Sequence, residues 1–100
     1  MDIAAATILS KRVSDIYAAR CNITRDDFWY LAKMQEELGE LTSAYLSETG
    51  RGRDRGGDTR CAVADEVADL FAQILLFADH QGIDLPEALR VKWGRYLPDL

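Results

Sequence analysis

The sequence predicts an all-α domain, an antiparallel four-helix bundle-like unit completed by oligomerisation. Three observations predict it. Apolar residues recur three and four apart in four separate runs, the spacing that places side chains on one helical face. Cap-type residues precede these runs. No stretch alternates apolar and polar residues as a half-buried strand does. The chain of 100 residues fits one domain over 1–100, and chains this small are often helped by oligomerisation.

The first helix spans about 2–20. Ile3, Ala6, Leu9, Val13, Ile16 and Tyr17 form its apolar stripe, and Asp2 is placed to cap it. Lys11 and Arg12 fall off the stripe. The second helix spans about 25–47. Thr24 followed by Asp27 is a variant capping box. Tyr30, Leu31, Met34, Leu38, Leu41 and Tyr45 share one face. Trp29 is displaced toward the side of Glu36 and Glu40. It reads either as core or oligomer interface, or as a platform for a nucleobase. Gly39 sits mid-helix, where it costs about 1 kcal/mol relative to Ala. A close helix crossing would explain it, and so would simple tolerance.

The stretch 49–58 is the one clear break. It holds four glycines and three arginines and is expected to be flexible, since it has no apolar surface to bury. It reads as a solvated connection, or as an arm whose amides and arginines wrap phosphates. It lacks the Gly-Lys-Ser/Thr ending of a P-loop. A third helix follows over about 60–81, capped by Asp58 or Thr59. Val63, Val67, Leu70, Ile74 and Phe77 form its stripe. Phe71, Leu75 and Leu76 extend apolar character beyond it, which points to a subunit interface. Asp84-Leu85-Pro86-Glu87 is a strong start for a fourth helix, about 85–97, ended by Pro98.

Composition narrows the function. Hydrophobic residues make up 48% and charged residues 29%, so the chain is not of a disordered class. The net charge of -5 argues against binding a nucleic acid polymer or an anionic membrane. A nucleotide stays open, because a bound metal reverses the local field. Cys21 and Cys61 are too few for a disulfide framework and lack zinc spacing. No run is long enough for a membrane span, and the expected location is the cytoplasm.

The chemistry concentrates in Glu36-Glu37-Leu38-Gly39-Glu40 and in Glu66-Val67-Ala68-Asp69. Glu36 and Glu37 each lie about one turn from Glu40, and Glu66 lies one turn from Asp69. If the second and third helices pack antiparallel, four or five carboxylates face one another. Like charges that close oppose folding unless neutralised. A hard cation such as Mg²⁺ is the simplest neutraliser, with oxygen ligands. His80 lies 11 positions beyond Asp69, about 16 Å along a helix, too far to join the site.

Together, these two acid motifs resemble the Glu-Glu-x-x-Glu and Glu-x-x-Asp signature of MazG-like nucleoside triphosphate pyrophosphohydrolases. Gly82-Ile83-Asp84-Leu85, Ala88-Leu89 and Lys92 extend the likeness over about 27–97. The Gly/Arg-rich stretch 50–57 departs from it. The resemblance implies Mg²⁺-dependent hydrolysis, with Mn²⁺ as a substitute, of a nucleoside triphosphate to the monophosphate and pyrophosphate. Water attacks the α-phosphorus. It implies Glu37, Glu40, Glu66 and Asp69 as metal ligands, and Glu36, with Glu37, as catalytic acids that orient or activate water. Lys92, with Lys33 and Arg95, would contact phosphates beside Trp29. Family members form homodimers or homotetramers. Two alternatives stand beside this one. An iron- or manganese-carboxylate bundle would use Glu-x-x-His pairs, which neither acid motif contains. A non-catalytic helical interaction module would keep the fold without turnover.

Overall fold

Each of the four helices in the computed structural model, which describes residues 1–99, starts on an aspartate. α1 (Ile3–Cys21) is capped by Asp2, α2 (Asp27–Glu48) by Asp26, α3 (Thr59–His80) by Asp58 and α4 (Leu85–Trp93) by Asp84. In every case the carboxylate accepts a backbone N–H three residues on, at 2.8–3.1 Å. That satisfies one of the donors a helix start leaves unpaired. The α2 cap differs from expectation: Asp26, not Thr24, reaches the Trp29 N–H. The fourth helix also stops early. It gives way to a 3₁₀ turn over Gly94–Tyr96, and Leu97 is extended, as the residue before a proline should be. No strand occurs among the described residues.

α2 and α3 pack along their length and run antiparallel. His80 at the end of α3 bonds Asp27 at the start of α2, at 2.6 Å, and its ring stacks on Tyr30. At the other end Arg60 pairs with Glu48 at 3.3 Å. α1 lies against α3, held at its edge by Lys11–Asp79 at 3.1 Å. The buried face of α1 is rotated from the expected stripe. Ala6, Ser14 and Ala18 are buried, while Leu9, Val13, Ile16 and Tyr17 are open. Small side chains let the two backbones approach, and the bulkier stripe is left on the flank. The buried Ser14 hydroxyl accepts from Arg25 at 2.9 Å, and Arg25 also pairs with Asp15 at 2.8 Å. Arg25 thereby pins the α1–α2 connection.

One expectation about surface is corrected by this packing. Leu75 and Leu76, read as interface residues outside the α3 stripe, form the core of the chain; Leu75 is 1% exposed. They are covered because α1 lies on that side of α3. All four expected helices form, and the fourth stands apart from the other three. α4 makes no extensive contact with the others, and Leu85 at its start shares a small cleft with Ile3, Leu75 and Ala78. Leu89, Val91 and Trp93 stand exposed on it. The radius of gyration is 16.0 Å, against about 13 Å for a compact chain of this length. On the α2–α3 face away from α1, an open groove of about 700 Å³ is lined by Phe28, Leu31, Met34, Leu38, Leu70 and Ile74, with Phe28 74% exposed.

An open apolar groove and an unpacked amphipathic helix predict self-association. Sedimentation equilibrium at micromolar concentration should give at least twice the chain mass of 11.2 kDa; a monomer would refute this. Leu75→Ala should cost about 2–5 kcal/mol by urea denaturation. An unchanged midpoint would mean that the α1–α3 contact does not hold the fold.

Candidate metal and nucleotide site

The antiparallel register decides what faces what. Midway between the His80–Asp27 and Arg60–Glu48 end pairs, the acids of α2 stand opposite those of α3. Glu37, Glu66 and Asp69 each present a carboxylate oxygen within 4.8 Å of the other two. Glu66 and Asp69 come from successive turns of α3, and Glu37 from the facing turn of α2. Oxygens sharing an octahedral Mg²⁺ lie about 3–4 Å apart. Modest side-chain rotations suffice to bring the group to that size, and its donors are all hard oxygens. The donor set therefore fits a divalent cation.

The electrostatics carry the strain of that arrangement. Burial chiefly, then Asp69, Glu37 and Glu40, push the Glu66 carboxyl above its ordinary pKa, with Arg55 opposing. Burial also raises Glu37, countered by Lys33 and reinforced by Asp69 and Glu36. Lys33 bridges Glu36 and Glu37, the latter at 3.6 Å. Burial lowers the Lys33 pKa, but Glu36, Glu37 and Tyr17 outweigh it and the net shift is upward. The ammonium also sits 5.6 Å from the centre of the Tyr17 ring. Glu36 and Glu40 are exposed and lie outside the three-carboxylate group.

Beside the carboxylates a cavity of about 520 Å³ is lined by Tyr17, Trp29, Lys33, Glu37, Asp69 and Phe71. That volume is in the range of small-ligand sites. Trp29 is half-buried there, edge-on to Tyr30 at 5.0 Å. Lys92 and Arg95 do not reach the site in one chain. Lys92 is exposed on α4, and Arg95 lies over the Tyr96 ring. No close crossing explains Gly39, since nothing among the described residues lies within 4 Å of its missing Cβ. Two site groups went unread in the sequence. Tyr17 looked like core. Arg55, 3.9 Å from Glu66, was one of three equivalent loop arginines.

A family model described as phosphoribosyl-ATP pyrophosphohydrolase matches residues 7–91. The chain belongs to that family. The family is a member of the MazG-like all-α nucleoside triphosphate pyrophosphohydrolase superfamily. The resemblance read from the acid motifs thus holds at the level of the superfamily and not of MazG itself. Membership carries a pyrophosphohydrolase-type reaction on a phosphoanhydride bond. No curated protein and no solved structure matches the chain. No helix among the described residues is long and apolar enough to cross a membrane.

The raised carboxyls give a signed pH dependence. The unfolded chain releases these protons first as pH rises past the ordinary carboxylate value. Folding stability then falls across the window up to the raised folded-state values, and the penalty persists above it. Metal-free Glu66→Gln should therefore melt higher than the parent at pH 7.5, and the gap should close near about pH 4. Thermal melts in chelator measure it. A variant less stable at both pH values would contradict the like-charge account.

Proposed function

We propose that the protein hydrolyses a nucleoside triphosphate, with Mg²⁺, to the nucleoside monophosphate and pyrophosphate. The observation that carries this reading is the group of Glu37, Glu66 and Asp69, gathered from two helices; Glu37 and Asp69 also line a cavity with Trp29. Family membership supports it. The substrate class includes phosphoribosyl-ATP, the compound in the family's description and itself an ATP derivative.

In this reading Glu37, Glu66 and Asp69 hold the cation, and Glu40 joins them from the next turn of α2. Bound there, Mg²⁺ supplies charge neutralisation of the phosphates and a more acidic water. The residues of the chain do the rest. Trp29 stacks on the base. Glu36, held by Lys33 at the edge of the group, accepts the proton of the attacking water. The oxygen of that water bonds to the α-phosphorus as the bond to the bridging oxygen breaks, and that oxygen leaves with pyrophosphate. Lys33 steadies the phosphates. Lys92 and Arg95 reach a triphosphate only if α4 and the 3₁₀ turn after it, from a second copy, cover the site. That requirement ties the reading to a homodimer or homotetramer.

A pyrophosphate-release screen with Mg²⁺ tests this, using canonical, deoxy and modified triphosphates together with phosphoribosyl-ATP. Release from at least one of them is expected. Glu40→Gln should lower it at least about 100-fold, beyond the usual cost of losing an outer-shell partner. Mg²⁺ should raise the parent melting temperature by mass action and the variant's much less. A variant with equal turnover and an equal Mg²⁺ shift would remove Glu40 from the ligand set. Inactivity of an intact oligomer on every substrate would favour the non-catalytic module.

A further inference from the structure

We propose that Arg55 is a phosphate-binding residue that rests on the carboxylate group before substrate arrives and competes there with the metal. The proposal deepens the function above and rests on it for the identity of the substrate.

The α2–α3 connection is not a free tether. The Arg51 N–H donates to the Leu46 carbonyl at 2.9 Å, and the Arg55 N–H donates to the Ser47 hydroxyl at 3.0 Å. The Gly56 N–H donates to the Asp54 carboxylate at 2.8 Å. Gly56 and Gly57 both take positive φ, 74° and 70°, a conformation that side-chain-bearing residues avoid. These contacts turn the loop so that Arg55 points back along the bundle to Glu66. Of the loop arginines 51, 53 and 55, Arg55 alone forms an ion pair among the described residues.

The pair itself is loose. One guanidinium nitrogen lies 3.9 Å from one oxygen of Glu66, whereas a forked arginine–carboxylate contact closes to about 2.7–2.9 Å at two points. A phosphate chain offers Arg55 the forked, more highly charged partner that Glu66 does not. A divalent cation held by three carboxylates outcompetes a single charge held by one. Loading the metal therefore releases Arg55 within side-chain reach of the phosphates that the metal brings. Attraction to those phosphates and repulsion from the cation both favour the exchange.

The exchange predicts opposed effects from one substitution. Arg55→Gln should tighten binding of Mn²⁺ alone, by isothermal titration calorimetry, about two- to fivefold, the size of a partly exposed ion pair. With saturating Mn²⁺, it should weaken binding of α,β-methylene-ATP about tenfold or more, as loss of a charge-assisted phosphate contact does. Arg55→Lys should restore the competition with Mn²⁺ but only part of the analogue affinity. Arg53→Gln should change neither. Unchanged Mn²⁺ affinity in Arg55→Gln, or shifts of the same sign, would overturn the proposal. Opposed shifts in a protein that turns over no triphosphate would support it and overturn the hydrolytic reading instead. Turnover without opposed shifts would overturn the Arg55 proposal alone.

Discussion

Three carboxylates within 4.8 Å of one another, in the seam that holds the two longest helices together, are the constraint to which the rest of the chain answers. Apolar side chains in that seam would stabilise the packing; the acids oppose it. The chain offsets the charge from both sides. Lys33 approaches along α2, itself steadied by Glu36 and the Tyr17 ring. Arg55 approaches from the connection beyond. The register that brings the acids together also pairs His80 with Asp27 and Arg60 with Glu48 at the ends, while Ala44 of α2 and Val63, Leu75, Leu76 and Ala78 of α3 are buried. The core beyond that is thin. Most of the large apolar side chains of α1, α2 and α4 are open in one chain, so the repulsive seam is carried by a fold with little to spare.

What could be read in the sequence is what local rules govern. The four helices follow from spacing and aspartate caps, and their ends fall within a residue or two of expectation, except where Gly94 and Pro98 shorten the last one. The acid group was legible for a similar reason. Helical spacing puts Glu66 and Asp69 on one side of α3, and antiparallel packing against α2, a condition that spacing leaves open, brings Glu37 to them. Tertiary choices were not legible. Periodicity on α1 favoured the bulkier stripe, but the close approach to α3 selected Ala6, Ser14 and Ala18. An amphipathic α4 looked like a bundle member, although amphipathicity says only that a face needs a partner and not which chain supplies it. Arg55 differed from Arg51 and Arg53 only through the turns that aim it.

Family membership and geometry constrain different things. The match over 7–91 identifies the class of bond attacked. The cavity of about 520 Å³ bears on what carries that bond. Its walls mix aromatic rings, Tyr17, Trp29 and Phe71, with Lys33 and two of the acids. That composition suits a flat, apolar-faced group joined to an anionic chain.

The division of labour between helix and loop has an evolutionary consequence. The carboxylates sit on α2 and α3, which pack along their length and pair at both ends. The one cationic arm sits on the connection between them, over 49–58. The connection's own hydrogen bonds aim the arm, yet changing its length adds little closure entropy, about 0.6 kcal/mol per doubling. Insertions, deletions or arginine shuffling there would re-aim the arm without moving a single acid. Selectivity can therefore drift through the connection while the bond-breaking centre stays put.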